Sequence, residues 1–353
     1  MSKKPYLQPI DNKREINFNE ELISKNEVHT ILSSNFGKLS PSFFKLMSNW
    51  VYNSYAKFND LDKYFILVFL FQKAFKHYAD IFKILSEEDF YNQNEFEIDK
   101  VNLIEISESL LIPKETVRRK INELNNEKVI LRRGKKIIIS SDGFKHQRPI
   151  STIKLLSSYL SETSKFLATE DWFGEKKSSQ DIEMFIRKNF TLIWRFFFRY
   201  LIYFLTRQRK LHGDLETWCV NGTVNHNHIM RLKEALENPF KIEKSKENLF
   251  ENSYREWVKM LINSKKKIIG INASSIAEIT GIPRATVIRK LRKSEKDGLI
   301  YKDKKQLYMM SRTVKQNLND LMEVFVLNQK DINNFVAIFF EIYRNPNIKR
   351  FNN

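Results

Sequence analysis

The sequence predicts a mainly α-helical protein with two similar halves, each a helical segment followed by a unit of two short helices and a small β-hairpin. Glycine and proline are scarce, with nine and eight in 353 residues, which is typical of long helices joined by short connections. An ungapped internal repeat aligns Ile106 to Ser141 with Ile276 to Ser311, and eleven of its 36 pairs are identical. Because a repeated pattern marks a repeated structural unit, this alignment predicts two copies of the helix–hairpin unit.

Both copies predict the same order of elements. In the second copy, apolar spacing indicates a helix over residues 273–280, Gly281 suits a left-handed helix end, and Pro283 opens a helix that runs to about residue 297. Residues 299–301 and 307–310 are predicted to be the two strands of the hairpin, joined by a basic turn. The first copy predicts the same elements at 103–110, 113–127, 129–132 and 136–140.

The two copies carry the segments IPKETVRRKINELNNEKVI and IPRATVIRKL…EKDGLIY. These segments resemble the winged helix-turn-helix modules of bacterial transcription regulators, broadly those of the GntR and MarR families. The resemblance implies that the second helix of each unit enters the major groove of DNA and that the hairpin, or wing, lies along a phosphate backbone. By position, it implies DNA contacts for Lys114, Thr116, Arg118, Arg119, Lys120, Arg132, Arg133, Lys135, Arg284, Thr286, Arg289, Lys290, Lys293, Lys302, Lys304 and Lys305.

Positive charge is concentrated on these helices and wings. Residues 113–136 hold nine lysines and arginines against three acids, and residues 283–306 hold the same numbers, so each window has a net charge of +6. The whole chain carries +18. A basic helix beside a basic turn is the electrostatic pattern of a phosphate-binding surface. The alternative interpretation is a pair of protein-binding modules with solvated basic faces.

Each copy departs from the shared pattern at a different place. Ser294 stands where the first copy has Leu124, at a position that the pattern predicts to be buried. Leu111 and Lys128 of the first copy replace two glycines of the second. These departures suggest that one copy has drifted toward a structural role, and Ser294 makes the second copy the stronger candidate for protein binding.

Breaks in the helical spacing predict the domain organisation. The predicted segments are a loosely ordered arm at 1–39, a helical segment at 40–95, the first unit at 96–142, a helix and linker at 143–175, a second helical segment at 176–249, the second unit at 250–312 and C-terminal helices at 313–353. Outside the repeated units, helices are predicted near 20–32, 40–58, 60–85, 151–167, 180–211, 228–236 and 250–262. A polar linker is predicted at 86–99, a polar loop at 212–227 and an interruption of the last helix at Asn328.

The helices at 60–85 and 180–211 are rich in aromatic residues and apolar on nearly all faces, which predicts burial. They are expected to pack against each other or to form the seam of a homodimer. A ligand pocket among the aromatic side chains of the helix at 60–85 is the alternative to a plain core. Residues 190–205 are nearly all apolar, but they number only 16 and include Arg195 and Arg199. They therefore predict a buried or interface helix and no membrane span.

No motif in the chain indicates catalysis or a cofactor. His212, Cys219, His226 and His228 lie close together in the sequence, but their spacing matches no common zinc pattern, so no metal site is predicted. The sequence has no glycine-rich phosphate loop and no nucleophile motif, which argues against an enzyme. The single cysteine fits a reducing cytoplasm, and residues 1–10 lack the apolar segment of a signal peptide.

These patterns predict a cytoplasmic, sequence-specific double-stranded DNA-binding protein, a bacterial transcription regulator that places two recognition helices in the major groove. A replication initiator, an architectural DNA-binding protein and a winged-helix protein scaffold remain as alternatives. A replication initiator would bind iterated repeats beside its own origin. An architectural protein would show salt-dependent binding without a preferred sequence.

Overall fold

The computed structural model describes residues 25–80, 84–98, 101–134, 136–140, 143, 148–168, 175–236, 269–311 and 318–344. Within these residues the chain is mainly helical and its buried apolar side chains form one connected core. The helices are α1 (Lys25–Ser34), α2 (Phe36–Phe58), α3 (Leu61–Asp80), α4 (Glu87–Tyr91), α5 (Leu103–Leu110), α6 (Lys114–Asn126), α7 (Ile150–Ala168), α8 (Ser179–Lys188), α9 (Phe190–His212), α10 (Leu215–Leu236), α11 (Ala273–Thr280), α12 (Arg284–Lys296) and α13 (Leu318–Arg344). The strands are β1 (Glu95–Glu97), β2 (Ile130–Arg133), β3 (Lys136–Ser140), β4 (Ile300–Lys302) and β5 (Tyr308–Met310), in antiparallel sheets of order β1-β3-β2 and β4-β5.

Helix α2 begins at Phe36, before the predicted start at residue 40, and Pro41 lies inside it. A proline inside a helix has no N–H to donate to the carbonyl four residues earlier. Here the hydroxyl of Ser40 donates to that carbonyl, the backbone oxygen of Gly37, over 3.1 Å. The serine side chain therefore supplies a hydrogen bond that the proline cannot make, and the helix continues through both residues.

Helices α3 and α9 carry the aromatic-rich segments, and they pack against each other. The rings of Phe75 and Phe198 stack with their centroids 6.1 Å apart, and the rings of Phe71 and Phe198 lie 6.2 Å apart. These apolar faces, which could have formed a homodimer seam, are covered within one chain. Of the two predicted arrangements, the structure therefore has the intrachain packing.

Three predicted helix boundaries are wrong. Residues 180–211 form two helices, α8 and α9, separated at Asn189, whose Nδ2 donates to the carbonyl of Phe185 over 3.1 Å. Helix α10 covers most of the predicted polar loop at 212–227, because its apolar residues pack against α2 at helical spacing. Helix α13 runs without a break through Asn328, whose Oδ1 accepts a hydrogen bond from Arg207 over 3.0 Å. In the first and third cases, a polar side chain that looked like a helix breaker has a partner inside the fold.

The predicted linker at 86–99 is also wrong, because this segment contains α4 and β1. The hydroxyl of Ser86 caps α4 by accepting the N–H of Asp89 over 3.1 Å. Strand β1 pairs with β3, so that Phe96 lies opposite Ile139. The side chains of Phe90 and Phe96 are each 1% exposed. The aromatic residues of this acidic segment therefore belong to the core.

Several predictions fall at the limits of the described residues. The short helix expected near 20–32 is α1, whereas residues 1–24, the helix predicted at 250–262 and residues 169–174 lie outside the described ranges. Helix α9 covers the apolar segment 190–205 and buries most of its side chains, so the interpretation as a buried helix is confirmed. None of the helices in the described ranges combines the length and hydropathy that crossing a bilayer requires.

Candidate nucleic-acid interface

Two helix–hairpin units form the candidate interface. Unit 1 consists of α5, α6, β2 and β3, and unit 2 consists of α11, α12, β4 and β5. Asn102 caps the first helix of unit 1 by accepting the N–H of Glu105, and Asn272 caps that of unit 2 by accepting the N–H of Ser275, both over 2.8 Å. Each cap satisfies a backbone donor that has no partner within its own helix. The two units therefore begin with the same local contact.

A left-handed residue ends the first helix of each unit, with φ of 54° at Leu111 and 73° at Gly281. The following helix then buries one face, which consists of Val117, Ile121 and Leu124 in α6 and of Val287, Leu291 and Ser294 in α12. Ser294 is fully buried, so the prediction of a buried position there is confirmed. The opposite faces of α6 and α12 point away from the core.

The outward face of α12 carries cations that have few partners among the described residues. Arg284 and Arg289 are exposed, and Thr286 is half-buried beside them. The Nε of Arg284 donates to the hydroxyl of Ser274 over 3.0 Å, and exposed Lys293 donates to a backbone carbonyl at the end of α9 over 3.1 Å. Neither Arg284 nor Arg289 has a carboxylate partner in the part of the chain that the structure describes. Among the described residues, nothing therefore neutralises the two guanidinium groups.

The hairpin of unit 2 adds three exposed lysines, Lys302, Lys304 and Lys305. The ammonium group of Lys302 lies 5.0 Å from the centroid of the Tyr308 ring, a cation–π contact that leaves its charge in place. The carboxylate of Asp303 accepts the backbone N–H of Lys305 over 2.8 Å and shapes the turn. Within the described residues none of the three lysines forms an ion pair, so the wing of unit 2 is a cationic surface.

The corresponding face of α6 is largely neutralised by acids of the same helix. Arg118 pairs with Glu115 at 2.6 Å, and the Nε of Arg119 lies 3.7 Å from a carboxylate oxygen of Glu123. These pairs are exposed, so each contributes little to stability, but each carboxylate offsets a charge that was predicted to face DNA. The face is completed by exposed Lys114 and half-buried Thr116.

One arginine of the unit 1 hairpin, Arg133, is also paired with a carboxylate. Arg133 forms a bidentate pair with Glu95 of β1 at 2.8 and 2.7 Å. Exposed Arg132 donates weakly to Asn122 over 3.4 Å, and Lys135 lies outside the described residues. The sequence-based interpretation missed the Arg133 pair because Glu95 was assigned to a linker, whereas pairing of β1 with β3 brings it beside the hairpin.

Lys120 and Lys290, both predicted to contact DNA, turn toward the inside of the chain and are each 9% exposed. The Nζ of Lys120 lies 2.6 Å from Asp60, and that of Lys290 lies 2.7 Å from Asp214. Burial alone would lower the pKa of Lys120, but hydrogen bonds to Asp60 and Glu123 outweigh it and raise the pKa. Helical spacing places both lysines beside the buried faces of α6 and α12, and this was the signal that could have identified them. They hold the units against the preceding helices and are not part of the outer surface.

The histidine- and cysteine-containing segment lies at the end of α9 and along α10. Cys219 is buried, and burial raises the pKa of its thiol. The Nδ1 of His226 lies 2.7 Å from the hydroxyl of Ser48, and the Nδ1 of His212 lies 3.2 Å from the Nδ2 of Asn221. Within the described ranges, no three histidine, cysteine or acidic side chains gather into a group that could hold a metal ion.

The two units thus share their backbone plan but differ in the charge that they present. Unit 2 exposes arginines and lysines that form no ion pair with any described residue, whereas unit 1 pairs three of its arginines with glutamates. No protein-family model, curated protein or solved structure matches this chain.

Proposed function

We propose that the protein binds double-stranded DNA as a transcription regulator and that its two helix–hairpin units are winged helix-turn-helix modules. The observation that supports this most directly is the cationic surface of unit 2, where Arg284 and Arg289 lie on α12 beside the three lysines of the β4–β5 hairpin. A helix in the major groove and a basic hairpin next to it can contact base edges and flanking phosphates together. The proposal includes no catalytic step, no metal and no cofactor.

Correspondences between the halves support a repeat that extends beyond the units. Helices α1 and α2 have the same lengths as α8 and α9, respectively. The offset along the chain, that is, the number of residues from the start of α1 to the start of α8, equals the number from the start of α2 to the start of α9. A second constant offset relates α5 and α6 to α11 and α12, which also have equal lengths. Asn35 and Asn189, at the breaks before α2 and α9, each donate through Nδ2 to the carbonyl four residues earlier. Asp60 and Asp214, which are related by the first of these offsets, each bind the inward-facing lysine of a unit.

The helix packing supports an arrangement like that of a symmetric dimer. Helix α3 packs against α9, and its counterpart α10 packs against α2. Helix α7 packs against α8, and its counterpart α13 packs against α1. Each half thus covers the other with equivalent surfaces, as in an isologous interface. Dimeric helix-turn-helix proteins present two recognition helices to half-sites about 34 Å apart, and we propose that this single chain reads a two-part site in the same way.

Unit 2 is proposed to contribute more of the affinity than unit 1. If the arginines of unit 1 bind phosphates, Glu115, Glu123 and Glu95 remain close to the same phosphates. Loss of the surface ion pairs, worth about 0.2–1 kcal/mol each, and repulsion between carboxylate and phosphate then oppose binding. Within the described residues, Arg284, Arg289 and the three lysines of the unit 2 hairpin form no ion pairs that binding would have to break. This assignment differs from the sequence-based expectation, in which Ser294 made the second copy the stronger candidate for protein binding.

Selection of bound duplexes from a random pool, near physiological salt, tests the proposed function. The expected result is an enriched two-part motif with fixed spacing. Enrichment of a single short motif would mean that only one unit reads sequence, and a motif found only as iterated repeats beside the origin of its own replicon would favour a replication initiator. Tight binding without enrichment, which weakens steeply with added salt, would favour an architectural role. Absence of binding would contradict the proposal and favour the protein scaffold.

Paired variants test the unequal roles of the units. Replacing Arg284 and Arg289 by alanine removes two unpaired cations, and replacing Arg118 and Arg119 removes two paired ones. At about 1–3 kcal/mol for each contact, the first variant should lose about 2–6 kcal/mol of binding free energy, and the second should lose less than half as much. Fluorescence anisotropy with the selected duplex at several salt concentrations measures both. Equal losses in the two variants would contradict the unequal contribution, provided that both retain the wild-type melting temperature.

A further inference from the structure

A cavity of about 430 Å³ lies between α2, α3, α9 and the first turn of α7, and among the described residues its lining includes none from the two units. Its walls are mainly aromatic and include Trp50, Tyr64, Phe71, Trp194 and Phe198. This volume falls in the range of about 300–1,000 Å³ that is usual for small-molecule sites. Close packing of side chains normally leaves few voids larger than a water molecule, so the cavity departs from an ordinary core.

The rim of the cavity is cationic. Lys57, Arg148 and Lys154 line it, and no aspartate or glutamate among the described residues does. None of the three forms an ion pair within the described residues, although the Arg148 guanidinium lies 5.0 Å over the ring of Tyr91. The rim also holds an amide and a hydroxyl, because the Nδ2 of Asn53 donates to Ser151 over 3.0 Å. The cavity therefore offers apolar walls and an unneutralised positive mouth.

One cation at the mouth, Lys57, lies in surroundings that disfavour its charge. Burial lowers the pKa of Lys57, which means that its surroundings disfavour the charged ammonium group. The corresponding residue of the second half, by the offset that relates α2 to α9, is Leu211, so the repeated helical pattern does not require a cation there. An anion at the mouth would remove this penalty by supplying the missing partner.

We propose that this cavity binds a small amphipathic organic anion, with a ring system or branched apolar body against the aromatic walls and a carboxylate or similar group at Lys57 and Arg148. The shape of the site selects the apolar body through burial, and its charge selects the anionic head group. The inference goes beyond DNA binding, because it concerns a separate site in the helical segment and its test contains no DNA.

Fluorescence titration with two matched dyes tests the proposal on the full chain. Anilinonaphthalene sulfonate carries an anionic group, and phenylnaphthylamine has the same aromatic skeleton without it. The wild-type protein should bind the sulfonate saturably, with one molecule per chain and an affinity about tenfold or more above that of the neutral dye. Absence of saturable binding, or equal affinity for both dyes, would overturn the proposal.

Three variants locate the binding. Replacing Lys57 and Arg148 together by glutamine should weaken sulfonate binding about tenfold or more and change binding of the neutral dye less than twofold. Lys165→Gln, at an exposed site farther along α7, removes a charge away from the mouth and should change neither. Ser151→Trp, at the exposed rim, should weaken binding of both dyes by obstructing the entrance. Retention of wild-type sulfonate affinity in the double variant and in Ser151→Trp, with unchanged melting temperatures, would place the dye elsewhere and overturn the proposal.

Discussion

The ammonium group of Lys290 lies 2.7 Å from the Oδ1 of Asp214, and the same oxygen accepts the backbone N–H of Thr217 in the first turn of α10. One carboxylate thus caps a helix and holds the second helix of unit 2. Lys120 and Asp60 repeat this arrangement in unit 1 at 2.6 Å, with Asp60 accepting the N–H of a residue in the first turn of α3. Both copies of the sequence repeat have lysine at this position, and the ion pair with aspartate explains this without reference to DNA.

Replacement of Lys290 by methionine should destabilise the protein. Methionine keeps most of the apolar stem but leaves Asp214, whose side chain is 30% exposed, without its cation. Removing one partner of a partly buried pair should lower the free energy of unfolding by about 1–3 kcal/mol, less than for a fully buried pair because solvent screens the carboxylate. Urea unfolding measures the change. Lys296→Met, at an exposed position of the same helix, is the matched control, and equal midpoints for the two variants would contradict the docking role.

The protein should become less stable as the pH decreases, because the fold holds His212 neutral. Burial, together with the nearby Lys293 and against the attraction of Asp214, lowers the pKa of His212 to about 4. The unfolded chain has an ordinary histidine pKa of about 6.5, so between these values it binds a proton that the folded chain does not, and acidification favours unfolding. This contribution is fully present above about pH 6.5, declines as the pH falls and levels off below about pH 4.

The change should be about 2 kcal/mol for His212 between pH 7 and pH 5, at about 1.4 kcal/mol per pH unit below the unfolded pKa. His29, whose pKa is also lowered to about 4 by burial, adds a dependence of the same sign. Urea unfolding of the wild type and of His212→Gln at both pH values isolates the contribution of His212. If both proteins lose the same stability on acidification, His212 is not held neutral in the fold.

Lys128 and Gly298 lie at equivalent helix ends of the two units, so the residue found at each position can be placed at the other. Both residues have a left-handed backbone, with φ of 57° and 73°, and Lys128 is exposed. A non-glycine residue is strained in this conformation by about 1 kcal/mol. Lys128→Gly should therefore raise the free energy of unfolding by about 0.5–1 kcal/mol. Gly298→Lys should lower it by about 1 kcal/mol, since a Cβ at this position meets no atom within 4 Å and only the backbone is strained. Thermal denaturation measures both, and changes of the same sign would refute the shared conformation.

Removal of the Ser294 hydroxyl should stabilise the protein. Its Oγ is buried and has no hydrogen-bond partner among the described residues. Ser294→Ala removes this unsatisfied group and should stabilise the protein by about 1 kcal/mol. Ser157→Ala is the control, because that buried hydroxyl donates to the carbonyl of Ile153 over 2.8 Å. The difference between the two variants in urea unfolding should be about 1 kcal/mol, and a larger loss at Ser294 than at Ser157 would show that the hydroxyl has a partner.

The helices of the two units could be predicted almost to the residue. Helices were expected at 103–110 and 113–127, and the structure has Leu103–Leu110 and Lys114–Asn126. Here the local signals agree, because Pro113 suits a helix start and Val117, Ile121 and Leu124 recur at the spacing of one buried face. Prediction failed where a side chain compensates for a local irregularity, as Ser40 does for Pro41 and Arg207 does for Asn328.

The sequence by itself determined the repeat, the helices of the units and the positive charge of their surroundings, because these depend on composition, turn residues and spacing along the chain. Only the tertiary structure decided which cations remain available. Lys290 meets Asp214 across 76 residues of sequence, and Arg133 meets Glu95 across 38, whereas Arg284 and Arg289 meet no carboxylate within the described chain. Ion pairing depends on distance in space, and no periodic pattern records which acid the folded chain will bring to a given lysine or arginine.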